Sequence, residues 1–285
     1  MRTFIFACLL LAPLAAAAQD THCKHAQPRE LQLDLAGVET VVFEVGPHRL
    51  DLRGAAGAAG NLQGRACASQ ANYLQQLTLT QRKSGDRLLV RLHREGLSNG
   101  SINNLGELRD FVFGSNHAHL ELTGDIPDHV RVELDVGSGD ASVRGVAAAA
   151  LDVGSGDVEA RDIHGLVTVA VGSGDADIHD VGSLRVSSLG SGDLLARRVN
   201  GDASMGSIGS GDAELREVAG KVEIGSIGSG DATLVDVTGD VALDSVGSGD
   251  LQVRNARGAL RVRSIGSGDV DHSGVDGTVS LPRGH

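Results

Sequence analysis

The tetrapeptide Gly-Ser-Gly-Asp occurs eight times between Gly137 and Asp269, each time ending on a carboxylate: Asp140, Asp157, Asp175, Asp193, Asp212, Asp231, Asp250 and Asp269. Successive aspartates are 17, 18, 18, 19, 19, 19 and 19 residues apart. A column of carboxylates about 4.8 Å apart repels by roughly 1 kcal/mol per neighbouring pair even in water, so something must offset the charge. Two kinds of chemistry could. The column could hold a ladder of Ca²⁺ ions, which take carboxylate and carbonyl oxygens. Alternatively each Asp, with its Ser, could accept hydrogen bonds from backbone N–H groups of its own glycine turn. The calcium β-roll needs Gly-Gly-x-Gly-x-Asp every nine residues. Here Asp directly follows Gly-Ser-Gly, and one half-coil in two carries it. The turn hydrogen bond is the expectation, and the eight aspartates are the calcium candidates.

Other residues with chemical potential are few. His22 and His25 flank Cys23, but one Cys and two His on a terminal tail fall short of a four-ligand metal site. His117 and His119 would share one face of a strand, and a partly exposed strand is expected there rather than ligation. Arg197 and Arg198 form an unusual basic pair, expected as a solvated face. Cleavage of a polysaccharide needs carboxylates distinguished by their surroundings, whereas every coil offers the same Asp. No Gly-x-Ser-x-Gly elbow sits between a strand and a helix. No catalytic or cofactor-binding residue is assigned, and the chain is expected not to be an enzyme.

A fixed period near 20 residues demands stacked repeats. After Asp212 the apolar residues are Ala213, Leu215, Val218, Val222, Ile224 and Ile227; after Asp231 they are Ala232, Leu234, Val237, Val241, Leu243 and Val246. The offsets +1, +3, +6 recur as +10, +12, +15, which reads as two short strands per coil with one buried face. Glycine is expected at the corners for its access to positive φ. A second serine column (Ser188, Ser207, Ser226, Ser245, Ser264) lies two residues before a glycine corner. No proline interrupts the repeat before Pro282. The expected fold is all-β: a parallel β-helix, or solenoid, of about eight 17–19-residue coils.

Residues 1–18 read as a signal peptide, from Arg2 through an apolar run to Ala16-Ala17-Ala18. They are followed by a β-rich part over 19–135 that caps or continues the solenoid, and by the repeat over 136–285. Cys8 falls in the leader. The remaining pair, Cys23 and Cys67, is expected as a disulfide in an exported, oxidising setting. Within 19–135 the stretch Cys67–Leu77 is the one helix candidate, and Lys83-Ser-Gly-Asp86 marks a hairpin. Residues 95–116 read as a long polar loop carrying Phe111 and Phe113. The formal net charge of −12 argues against nucleic acid. Beyond the leader the aromatics are Phe43, Tyr73, Phe111 and Phe113, too few for a sugar-stacking platform.

The leader, the Pro127 segment that enters Val136-Gly-Ser-Gly-Asp140, and the serial coils resemble the bacterial putative adhesin family known as domain of unknown function 4097, which is close to auto-transporter-adhesin head domains. The resemblance spans roughly Leu31 to Leu281. It implies a parallel β-helix in an exported protein with no catalytic residues to carry over. The leading expectation is a non-enzymatic, adhesin-like solenoid of the periplasm, cell envelope or exterior. Such a protein would present a repetitive acidic surface to an envelope protein or surface glycan. A calcium-stabilised module is the alternative, and a polysaccharide-active β-helix enzyme is the reading the residues support least.

Overall fold

The structure, a computed structural model, describes residues 23–95 and 117–282. The leader over 1–18, His22, and the loop residues Phe111 and Phe113 lie outside them. Each later coil is two six-residue strands: Ala213–Val218 with Val222–Ile227, then Ala232–Val237 with Val241–Val246. Corresponding strands of successive coils pair in parallel, so two ladders run along the rod. Two early strands, Asp157–Val171 and Ala176–Leu189, run through a corner and serve both ladders. The molecule is the expected all-β solenoid.

The core follows the apolar columns. Ala213, Leu215, Val218, Val222, Ile224 and Ile227 are all buried, as are their counterparts in the next coil. The spacing departs from strict alternation for a reason the backbone shows. Five residues after each Gly-Ser-Gly-Asp aspartate the chain turns left-handed: Asp162, Asp180, Arg198, Glu217, Asp236 and Asn255 have φ between 54° and 60°. Gly145 and Gly274 hold the same station in the first and last of these coils. The kink turns two consecutive residues outward, such as Arg216 and Glu217, and returns Val218 to the core.

The corner glycines correct an expectation. None in the Gly-Ser-Gly-Asp motifs has positive φ. They are small because the coils approach closely. A Cβ on the second glycine of each motif would lie 1.7–2.0 Å from a carbonyl oxygen of the coil beneath, a distance no side chain can share.

The N-terminal part continues the rod and then closes it. Thr40–Glu44 and Arg49–Ala55 form a coil on which Arg131–Val136 and Asp140–Arg144 stack in parallel. On its other side lie Arg87–Arg94 and Ala118–Pro127, also parallel. A coil early in sequence is thus sandwiched between two later ones. Antiparallel strands Leu77–Ser84, Asn61–Ala68 and His25–Gln32 extend these ladders and cover the edge. The hairpin at Lys83-Ser-Gly-Asp86 is present, with Gly85 at φ 62°.

The helix expected over Cys67–Leu77 does not form. Cys67 and Ala68 belong to the strand Asn61–Ala68, and a single 3₁₀ segment, Ala71–Gln76, follows. The strand wins because Cys67 is paired on both sides, with Ala26 and His119. The 3₁₀ segment buries no residue and so has no apolar stripe to dock. Among the described residues no helix is long and apolar enough to cross a membrane.

Candidate functional site

The eight aspartates line up along one edge of the rod. Six carboxylates accept the backbone N–H of the aspartate one coil later. Asp175 N donates to Asp157 Oδ1 at 3.3 Å, Asp193 to Asp175 at 3.0 Å, and Asp212 to Asp193 at 3.1 Å. Asp231 donates to Asp212 at 3.0 Å, Asp250 to Asp231 at 2.8 Å, and Asp269 to Asp250 at 2.8 Å. The donor is therefore the neighbouring coil, which corrects the expectation of a bond within the same turn. The turn's own N–H groups are already engaged: Ser210 and Gly211 both donate to Gly190 O, at 2.8 and 3.0 Å. The other corner uses the same device, with Asp202 Oδ1 accepting Lys221 N–H at 3.0 Å and Asp240 Oδ1 accepting Ala259 N–H at 2.8 Å.

The ladder begins on an opposite charge. Ser138 and Gly139 N–H both reach Gly46 O, at 3.1 and 2.9 Å. That is the pattern every later corner makes with the first glycine beneath it. Gly46-Pro47-His48-Arg49 thus occupies the station of a Gly-Ser-Gly-Asp corner, with Arg49 in the Asp place. Arg49 Nη2 lies 2.6 Å from Asp140 Oδ2. His48, at the second-glycine place, is 1% exposed. Its Nδ1 accepts Leu120 N–H at 3.2 Å, so the neutral ring carries its proton on Nε2, which has no partner. Burial, together with His119 and His93, pushes the His48 pKa down to about 4.

His48 lines a crevice of about 320 Å³ with Arg49, Asp140, His119, Glu121 and the cysteines. Cys23 and Cys67 form the expected disulfide, which ties the start of the described chain to the strand Asn61–Ala68. Cys67, His119 and Glu121 bring one donor atom each within 4.8 Å of one another. All three are committed elsewhere: the sulfur to the disulfide, His119 Nε2 to Glu121 Oε1 at 2.9 Å, and Glu121 Oε2 to Arg65 Nε at 2.6 Å. Burial works upward on the Glu121 carboxyl, but hydrogen bonds from Arg65 and His119 outweigh it and hold the carboxyl below its usual range.

Along the outer face the aspartate column borders a shallow groove of about 490 Å³. Six carboxylates line it: Asp175, Asp177, Asp193, Asp212, Glu214 and Asp231. Beside it runs a column that the apolar pattern does not reveal. Arg53, Arg144, Arg161, His179, Arg197 and Arg216 stack in register. Aligning the coils on their aspartates would have shown it, at offset +4. The basic pair Arg197-Arg198 is divided between two roles. Arg197 belongs to this column, while Arg198 takes the left-handed turn and forks onto Asp180 at 2.5 and 2.6 Å. That hydrogen bonding holds the Asp180 carboxyl below its ordinary range. The second serine column is also in register, at Ser207, Ser226, Ser245 and Ser264.

No family model matches the chain, and no curated protein matches it. Among solved structures it is similar to a putative lipid binding protein of Parabacteroides distasonis, at 16% identity and a TM-score of 0.53, over 88% of this chain and 97% of that one. It is also similar to a putative adhesin of Parabacteroides merdae (16% identity, TM-score 0.45, 88% of this chain and 97% of that one). A third is a putative adhesin of Bacteroides fragilis (15% identity, TM-score 0.44, 91% and 98%). At such identity the first of these shows a shared fold alone.

Proposed function

We propose that this chain is an exported, non-enzymatic, adhesin-like solenoid that binds a cationic, extended partner along its acidic groove. The observation that carries this reading is the lining of that groove: six carboxylates repeated at coil spacing on one rigid face. Four of them, Asp175, Asp193, Asp212 and Asp231, are fixed through Oδ1 to the next coil. A single pocket would select a small molecule, whereas a periodic groove selects a chain that repeats its own charge. The leader-like residues 1–18 and the Cys23–Cys67 disulfide support export.

The test is fluorescence anisotropy with an extended Lys- or Arg-rich peptide at low and high salt. Saturable binding that weakens with salt is expected. It should be lost in a variant carrying Asn at Asp175, Asp193, Asp212 and Asp231, since Asn keeps the Oδ1 acceptor and removes the charge. Binding that is indifferent to that variant would refute the reading.

A further inference from the structure

Three coils share a pairing rule on the outer face. The carboxylate two residues after the corner position meets a basic side chain two residues further along the same strand: Glu159 with Arg161, Asp177 Oδ1 with His179 Nε2 at 2.7 Å, and Glu214 with Arg216. At the N-terminal end of the rod the rule breaks. Asp51 holds the equivalent place before Arg53, but its carboxylate accepts the Ser142 hydroxyl at 2.7 Å. Ser142 in turn stands where a carboxylate would serve Arg144. Arg53 and Arg144 are register partners on adjacent strands. Among the described residues neither guanidinium has a carboxylate within ion-pair distance. Arg197 and Arg254 also lack one, but neither of them lies next to a second unpaired arginine in its column. Arg53 and Arg144 are thus adjacent cations with no ion pair of their own; on its other side Arg53 faces Asp125 across the register, and Arg144 faces the paired Arg161.

They line a concavity of about 440 Å³ built across four strands of the capped end. Its other walls include Asn61, Gln63, Thr123 and Asp125. Paired guanidiniums recognise a carboxylate or a phosphate by forked hydrogen bonds. The other walls decide between the two. Amides, a hydroxyl and a carboxylate can donate to and accept from an array of hydroxyl groups, while the charges of Asp51 and Asp125 disfavour a dianion. Without an aromatic platform, charge and hydrogen bonding have to supply the affinity.

We propose that this concavity binds a carboxylated sugar, a uronate residue of an acidic glycan. Arg53 and Arg144 take the carboxylate; Asn61, Gln63 and Asp125 take ring hydroxyls. The site is separate from the acidic groove and needs no cationic partner.

Calorimetry on the full chain tests it with short oligogalacturonate and oligoglucuronate, their methyl esters, and inorganic phosphate. Saturable binding of at least one free acid is expected, weakened tenfold or more by esterification and by Arg53→Gln or Arg144→Gln. The same binding should survive Arg197→Gln, in the same column outside the concavity, and the Asn variant of the acidic groove. Circular dichroism confirms that each variant is folded. No binding of either acid, equal binding of the esters, or indifference to both arginine variants overturns the proposal. So does phosphate competing as well as the oligosaccharides, which would reduce the site to a bare anion contact.

Discussion

Replacing Gly211 by alanine tests whether close approach of coils, rather than a left-handed turn, dictates the corner glycine. The added Cβ would lie 1.8 Å from Gly192 O and 2.8 Å from Gly192 C, and real Cβ contacts essentially never fall below 3.0 Å. The corner must retreat by more than 1 Å. Ser210 and Gly211 N–H reach Gly190 O at 2.8 and 3.0 Å, and Gly230 N–H reaches Gly209 O at 3.0 Å from the coil above. A retreat of that size carries these bonds past the usual 2.7–3.2 Å range. Three ladder bonds at about 1 kcal/mol each come to about 3 kcal/mol. Urea denaturation of Gly211→Ala and Gly211→Asn reads the difference. Asn enters the left-handed region easily, so it would be much the milder replacement if positive φ were the requirement. With a carbonyl in the way, any Cβ is equally unwelcome, and both variants should fall together. An alanine cost below about 1 kcal/mol, or an Asn variant clearly more stable than the Ala one, would refute the reasoning.

His48 gives a pH signature. Its pKa falls from 6.5 in the unfolded chain to about 4 in the fold, so the stability it contributes is complete above pH 6.5 and is lost as pH falls through about 4. Over that window wild type should lose about 3 kcal/mol more than His48→Asn in urea titrations, because Asn keeps an acceptor for Leu120 N–H without titrating. Glu217→Gly removes a side chain from a left-handed station (φ 58°) and should stabilise by about 1 kcal/mol in the same assay. Burial, then Asp152 and Glu44, raises the Asp135 pKa. Its favourable contribution is therefore present at low pH and lost as pH rises through the raised value, so Asp135→Asn should stabilise by about 0.5 kcal/mol at pH 7 and have little effect near pH 3. Millimolar Ca²⁺ should leave the melting temperature unchanged, since the ladder carboxylates already accept N–H groups; a clear rise would restore the cation ladder.

The parts of the fold legible in the sequence were those that depend on position within one coil. The offsets +1, +3 and +6 identify Ala213, Leu215 and Val218 as core because burial depends on which way a side chain points, and the period of the strand decides that. The expectations that failed concern what a residue meets. Turn chemistry is ordinarily local, so the aspartate was assigned its own turn's N–H groups and the glycine its own dihedral. In a solenoid the nearest neighbour of a corner is the corner about 19 residues away. The donor to Asp231 is Asp250 N–H, and the atom that excludes a Cβ at Gly211 is Gly192 O. Neither relation is visible within one turn, but both become readable once coils are written one above another. The arginine column at +4 emerges by the same operation.

The N-terminal coil marks where that operation runs out. Aligned on Arg49 as though it were a ladder aspartate, the chain places Val45 at −4, Leu50 at +1 and Leu52 at +3, all buried as in a regular coil. Every residue of the motif after its first glycine has changed, and each change has a reason in the structure. Pro47 needs no N–H where the strands stop repeating. His48 carries a side chain where no close carbonyl of a lower coil forbids one, and it uses the space to accept Leu120 N–H. Arg49 reverses the charge because the carboxylate above it, Asp140, does not receive the next coil's Asp N–H, which Gly139 O accepts instead. The capped end is thus a ladder rung rewritten to stop the ladder. The same rewriting, which put Ser142 where a carboxylate would serve Arg144, left Arg53 and Arg144 side by side without an ion pair in a concavity. The chemistry that sets this end apart from the acidic rod arises from terminating the repeat, so substitutions that restore regularity, such as Ser142→Glu, should silence sugar binding while leaving the rod intact.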